Sequence, residues 1–189
     1  LAARLERDDP SEERSHMAWK VDRENSRIAF AVKHLRLTTV RGRFLRFAGF
    51  VHIDEENPQK SLVEGTVDAA SVKTGIGPRD QSLRAPGFFN VGRFPKMTFR
   101  STHIGPFEGN RFPVYGELTI RDVTREERFD VVDKGELPAG GGQRRWAFEA
   151  RITLNRKDYG LKWNPLLEAG GLLVGDEVEG LAEIQVVQE

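Results

Sequence analysis

Cysteine is absent from the 189 residues. That removes disulfides, thiolate catalysis and Cys-ligated zinc together, without fixing the compartment, because a well-cored domain needs no disulfide. No apolar run approaches the roughly 18 residues that a membrane-spanning helix needs. No asparagine has Ser or Thr two places on, so there is no N-glycosylation sequon. Neither sign of charge is in excess: Lys+Arg and Asp+Glu are 29 each. A formally neutral chain has no bulk attraction for nucleic acid or an anionic membrane. Tyrosine is scarce, with 2 against 12 phenylalanines. Phe supplies apolar wall and lacks the polar handle that suits base stacking.

The motifs of common catalytic sites are missing as well. There is no Gly-x-Ser-x-Gly elbow, Walker A loop, His-Glu-x-x-His or dinucleotide fingerprint. Gly75-Ile76-Gly77 is a lone fragment outside any strand-to-helix context. Histidines number four. His34 and His52 lie on segments that could be neighbouring strands, but a surface histidine is the simpler reading, and no ligand spacing points to a metal. Asp80, beside Arg79 and Arg84, reads either as a catalytic acid or as part of a structural ion pair, the commoner case.

What remains is a soluble, globular composition: 38% hydrophobic, 31% charged, mean hydropathy −0.51. The length suits one domain that buries about 70% of its unfolded surface. Leu1–His16 is charged, has no apolar stretch and is no signal peptide. It reads as a vector-derived or disordered extension, with Ser15-His16-Met17 the scar of a cloning site. On that expectation the native chain starts at Met17 and is cytoplasmic; if a leader was removed, it is periplasmic or secreted.

Alternation with period 2 recurs along nearly the whole chain. It runs through 26–35 (Ile28, Phe30 and Val32 on one side), 43–54 (Phe47, Gly49, Val51), 61–70 (Val63, Gly65, Val67) and 96–104 (Met97, Phe99). It returns at 112–121 (Val114, Gly116, Leu118), 146–154 (Trp146, Phe148, Ala150, Ile152) and 177–187 (Val178, Gly180, Ala182, Ile184). Pro138 to Gly142 reads as a hairpin loop. Two stretches resist a strand reading: 74–95, with one short helix around Asp80 to Arg84, and the irregular connection 155–175. About eight antiparallel strands imply an all-β barrel or sandwich, and closure removes sticky edges. Gly49, Gly65, Ala69, Gly116, Ala150, Gly180 and Ala182 fall in register with the apolar faces. They suggest a hollow apolar interior, or tight bends at barrel corners.

Charge is informative locally. Lys33, Arg36, Arg41, Arg43 and Arg46 come with no acid among them, and 164–189 holds six acids and no base. The basic run predicts a basic rim suited to phosphate or carboxylate groups, or a solvated hairpin paired to the acidic C-terminal strand.

The order of motifs adds a resemblance. Ser26-Arg27-Ile28-Ala29-Phe30, Lys33-His34-Leu35, Val40-Arg41-Gly42-Arg43-Phe44 and Phe47-Ala48-Gly49 come first. Ala70-Ser71-Val72-Lys73-Thr74-Gly75, Arg79-Asp80 and Leu83-Arg84 follow. Then come Phe88-Phe89-Asn90-Val91, Phe94-Pro95-Lys96-Met97-Thr98-Phe99, Gly116-Glu117-Leu118-Thr119-Ile120, Val123-Thr124 and Asn155-Arg156-Lys157-Asp158-Tyr159-Gly160-Leu161. In this order they resemble the YceI-like family over Trp19 to Val187. The resemblance implies a single lipocalin-like antiparallel β-barrel domain over 17–189, of about eight strands, with one short helix in a long connection. It also implies non-catalytic binding, storage or transport of a long apolar lipid: a polyisoprenoid, an isoprenoid quinone or a fatty amide. Family members are often homodimers, and no catalytic residues are established to carry over. The chain departs from the family at Ser82, where His is usual, at Gly87 and Asn90, where acids are common, and at Asp122, where Gly is usual. These places sit in the long connections and bear on the head group.

The expected ligand wall is Ile28, Phe30, Val32, Phe47, Val51, Val67, Phe99, Leu118, Phe148, Ile152 and Ile184. Arg79, Asp80, Arg84, Asn155, Arg156 and Asp158 are expected to brace the long connections or meet the head group. No cofactor, metal, nucleic-acid partner or membrane span is expected. Two other readings stay open. One is an enzyme acting on a lipid-like substrate, with Asp80 or Asp158 as its acid or base. The other is a structural or partner-binding barrel with a filled core.

Overall fold

The computed structural model describes residues 17–34, 38–140, 142–162 and 174–189. The 1–16 extension, Arg36 of the basic run, Gly141 of the hairpin loop and the 163–173 part of the second long connection lie outside them.

The first strand meets the last. β1 (Met17–Val21) pairs antiparallel with β11 (Val174–Gln188), Trp19 opposite Gln188 and Val21 opposite Val186. From β1 the ladder runs through β4 (Phe47–Ile53), β5 (Leu62–Asp68), β7 (Lys96–Ile104), β8 (Arg111–Ile120), β9 (Val123–Gly140) and β10 (Gln143–Asn155) back to β11. β2 (Arg27–His34) pairs with the first half of β11, β3 (Thr38–Phe44) with β2, and β6 (Val72–Lys73) with β3. Taken as β1/β2, β3/β4 and β5/β6, the short strands are halves of longer kinked ones. The result is a closed antiparallel barrel of eight strands. Closure leaves no unpaired sheet edge around the ring.

Serine hydroxyls repair the ladder where the strands break. Between β1 and β2, Gln185 N–H donates to Ser26 Oγ at 2.9 Å, and Ser26 Oγ lies 3.2 Å from Gln185 O. Between β3 and β4, Leu45 and Arg46 N–H donate to Ser71 Oγ at 3.1 and 3.0 Å, and that hydroxyl donates to Asp68 O at 2.6 Å. At the irregularity in β7, Val63 N–H donates to Ser101 Oγ at 2.8 Å. Ser71 and Ser101 are buried, so each hydroxyl replaces a backbone partner that the kink removes.

The sequence-predicted strands match β2, β4, β5, β7, β8, β10 and β11 to within a few residues. The alternation predicts neither β1 nor β9. In β9 the charged Arg125 and Glu127 share a side with Val123, Phe129 and Val131, and this charge hides the alternation. The β9–β10 hairpin turns where the Gly-rich loop predicts, with Gly140 opposite Gln143. The short helix is longer than predicted: α1 spans Gly77–Arg84, opened by Pro78.

Two apolar clusters sit inside. One, around Phe44, Val72, Phe89, Ile120, Tyr159 and Leu161, gathers the helix side of the molecule. The other joins Ile104, Val114 and Val131, with Phe99, Phe129 and Phe148 packed on it.

Candidate ligand-binding cavity

Between the clusters lies a cavity of about 420 Å³. That volume falls in the range of small-molecule sites, which are mostly apolar with few polar groups. β2 supplies Ile28, Phe30 and Val32; β4 supplies Phe47 and Val51; β5, β7, β8 and β11 supply Val67, Phe99, Leu118 and Ile184. Each is expected from its place on an apolar strand face. Phe148 and Ile152 do not line the cavity. Phe148 faces inward but packs on the Ile104–Val114–Val131 cluster. Ile152 lies over Gly180, where a Cβ would come within 2.8 Å of the Ile152 Cγ2.

The small residues fall into distinct groups. Gly42 and Gly116 seat aromatic rings: a Cβ at Gly42 would collide with the Phe30 ring, and one at Gly116 would meet the Phe99 ring at 2.6 Å. Gly49 lies against backbone, where a Cβ would be 2.6 Å from Glu64 O, and Ala69 is buried in the first cluster. Only Gly65, of the glycines in the apolar register, faces open space, the nearest atom to its Cβ position being Ala48 O at 3.9 Å. Thus the hollow exists, and of the small residues that suggest it Gly49, Gly65, Ala150, Gly180 and Ala182 line it, although Gly49, Gly116 and Gly180 also admit a close neighbour.

One end is covered by α1 and the turns after it, which contribute Arg79, Ser82, Leu83, Phe88 and Phe89. The 156–159 turn contributes Arg156 and Tyr159, and Leu161 follows. A chain of rings links wall to cover: Phe30 to Phe44 at 5.6 Å, Phe44 to Phe89 at 5.8 Å, Phe89 to Phe88 at 5.1 Å. Phe129, Val131, Phe89, Tyr159 and Leu161 are not among the expected wall residues. Phe88-Phe89 is visible as a motif, but nothing local says that a loop folds back over a barrel end.

Arg79 and Arg156 are the expected polar residues that reach the cavity. Arg79 Nε donates to Thr74 Oγ1 at 2.7 Å. Arg156 is buried; it donates to the carbonyls of Gly175 and Leu161 and meets Asp176 at 3.2 Å. The others brace the connections. Arg84 donates to the carbonyls of Ala70 and Val72, each at 2.8 Å. Asn155 Oδ1 accepts from Lys157 N–H at 3.0 Å, and Asp158 lies 3.8 Å from Arg125 at the surface. The ion pair expected for Asp80 is replaced by hydrogen bonds: its Oδ1 accepts from the N–H of Thr74 at 2.8 Å and from its hydroxyl at 2.5 Å. Neither Asp80 nor Asp158 lines the cavity. Tyr159, buried, donates its hydroxyl to Glu127 at 2.6 Å. Burial, then the bond to Glu127, pushes the phenol far above its ordinary pKa.

The histidines stay apart. His34 is opposite Thr38 and Val174, whereas His52 is opposite Ala18 and Leu62. Among the described residues no three metal-ligating side chains gather. The described bases of the run gather at no rim. Lys33, Arg41 and Arg43 stand exposed on the outer wall of β2 and β3, and Arg46 pairs with Asp68 at 2.8 Å. None of these bases pairs with the acidic C-terminal strand; Arg27 does, through Glu183 at 2.6 Å, and so do Arg156 and Lys157 through Asp176.

Comparison with known proteins agrees with this architecture. The family model of the YceI-like domain matches residues 19–186. A UPF0312 protein of Pseudomonas paraeruginosa is 35% identical over 171 residues, 87% of each chain. Protein YceI of Salmonella newport is 33% identical over 175 residues, 90% of this chain and 87% of that protein. Among solved structures, Burkholderia cenocepacia BcnA superposes with a TM-score of 0.75 at 22% identity, covering 87% of this chain and 98% of that one. A polyisoprenoid binding domain from Saccharophagus degradans gives a TM-score of 0.66 at 16% identity, covering 92% and 99%. The chain belongs to the YceI-like family.

Proposed function

We propose that this YceI-like barrel binds a long apolar lipid in its interior, stores or carries it, and performs no chemistry on it. The observation that carries the reading is the cavity of about 420 Å³, whose wall is apolar along β2, β4, β5 and β11. Of its charged lining groups, Arg79 and Arg156 gather with the elements that cover one end, and Glu64 of β5 is paired with Arg100. Burial contributes about 0.8 kcal/mol per CH₂ group, so a few isoprene units would outweigh the entropy lost on binding. A polyisoprenoid is the ligand class favoured, in keeping with the name of the Saccharophagus degradans relative. Catalysis has little support: a reacting acid or base must reach substrate, and Asp80 and Asp158 lie off the cavity. The cavity speaks against a filled core.

The test is gentle purification, organic extraction and mass spectrometry, followed by incubation with a panel of polyprenyl lipids. One long-chain lipid per protein is the expected result. No bound lipid and no uptake from the panel would overturn the reading.

A further inference from the structure

Many exposed bases of this protein are ion-paired. Lys20, Arg27, Arg46, Arg100, Arg128, Lys134 and Arg151 each have a carboxylate partner within 4 Å. Others, such as Arg23, Lys60 and Arg111, have no such partner among the described residues, and four of the unpaired bases lie together. On the outer face of β2, β3 and β6, Lys33, Arg41, Arg43 and Lys73 are all exposed. None of them forms an ion pair with any described residue. The ladder sets them side by side: Arg43 is opposite Lys73 and Ala29, Arg41 is opposite Ala31, and Lys33 is opposite Thr39. Alanine and threonine between them add no charge. Glu179 of β11 stands beside Ala31, yet no ion pair forms with the group.

Apolar side chains adjoin this basic face. Ile76, three residues beyond Lys73 and just ahead of α1, is 52% exposed. Leu45, two residues beyond Arg43, is 42% exposed, and its N–H bonds Ser71 O next to β6. The inner faces of the same strands line the cavity, through Ile28, Phe30, Val40 and Phe44. The helix that Ile76 precedes covers one end of that cavity.

We infer that the outer face of β2–β3–β6, with Ile76 at its margin, docks the protein on an anionic lipid bilayer and sets the helix-covered end of the cavity against it. Charge complementarity commits the face to that occupant. Clustered Lys and Arg are attracted to acidic headgroups, and a neighbouring exposed apolar side chain can enter the interface. The chain's zero net charge does not oppose this, because the attraction is local and decays within a Debye length. Docking rests on the lipid-carrying reading for its purpose, but not for its measurement.

The experiment is co-sedimentation of lipid-extracted protein with phosphatidylcholine vesicles, with and without phosphatidylglycerol, at low and high salt. Binding is expected only with phosphatidylglycerol and only at low salt. The double variant Arg41→Glu/Arg43→Glu should weaken it by more than about tenfold. The milder Arg41→Gln/Arg43→Gln serves if charge reversal perturbs the fold, and Ile76→Ser should weaken binding with the charge intact. Lys60→Glu, another exposed base, is the control and should change nothing. Gly65→Leu, which fills the cavity, should still bind vesicles, so failure of the cargo reading and failure of docking are told apart. No binding to phosphatidylglycerol vesicles, or equal binding by the Arg41/Arg43 variants, would overturn the inference. Retention on poly-glutamate without vesicle binding would overturn it in favour of an acidic protein partner.

Discussion

At Gly42 and Gly116 a phenylalanine ring lies where a Cβ would be. Gly65, by contrast, opens on the cavity. The three give opposite expectations. Gly116→Ala should destabilise the barrel by about 1–3 kcal/mol, because the Phe99 ring must move and Arg100 O blocks the other side. Gly65→Leu should melt no lower than the parent yet lose lipid uptake, since its side chain fills the space a ligand would take. A Gly65→Leu protein that still takes up lipid would relocate the binding site. Pattern alone could not separate these residues. Each falls on the apolar side of a strand, and only a neighbour remote in sequence decides whether the gap is filled. Tyr159 makes a different test. Its phenol is held neutral in the folded protein by burial and by Glu127, while in the unfolded chain it ionises near the ordinary pKa of about 10. Its contribution to stability is therefore whole below about pH 10 and is lost as pH rises further. Tyr159→Phe should cost about 1–3 kcal/mol at neutral pH through the lost bond to Glu127. It should also flatten the fall in stability above pH 10 in denaturant titrations. An unchanged slope there would show that the phenol is not the group responsible.

Kinked strands are the unit from which the elements are made. β1/β2, β3/β4 and β5/β6 would each be one long strand if the ladder ran unbroken, and the breaks at 22–26, 45–46 and 69–71 bend the wall. Ser71 carries the heaviest share of that bend, with two N–H groups donating to its hydroxyl. Ser71→Ala should lower the denaturation midpoint by the equivalent of about 1–3 kcal/mol, because one part-buried N–H loses its partner and another loses half of its bonding. A midpoint equal to the parent's would mean that water replaces the hydroxyl. The strands of pure alternation, such as 61–70, were legible in sequence because their period is unbroken. The kinks were not: Leu45-Arg46 and Ala69-Ala70-Ser71 carry neither Gly nor Pro. What marks them is the pairing of one break against the other across the ladder.

The whole molecule is a ring closed between residues far apart in the chain, Val21 against Val186 and Trp19 against Gln188. Folding that depends on such distant pairing is slow, on the milliseconds-to-seconds scale of all-β barrels. A ligand that fills the interior adds to the folded state alone. At about 100 times its dissociation constant it should stabilise the protein by about 2.7 kcal/mol. Stripping bound lipid should accordingly lower the melting temperature, and adding back a polyprenyl lipid should restore it; a melting curve indifferent to lipid would speak against an interior site. An all-β barrel or sandwich was legible from the count of alternating segments, and the family, with the closed barrel it implies, from the order of the motifs. The cover over the cavity was not, because α1 and the 156–159 turn meet the wall only once the ring is formed. The same closure has a mechanical side. β1 and β11 run antiparallel, and Glu189 N–H donates to Ala18 O at 3.3 Å, so residues 18 and 189 sit together at one end of their ladder. A force applied to those two residues would peel the β1–β11 seam open one rung at a time, from Trp19 and Gln188 inward, without ever loading its hydrogen bonds together in shear. The barrel should therefore give way at low force when held by its two ends and resist far more when held across β10 and β11.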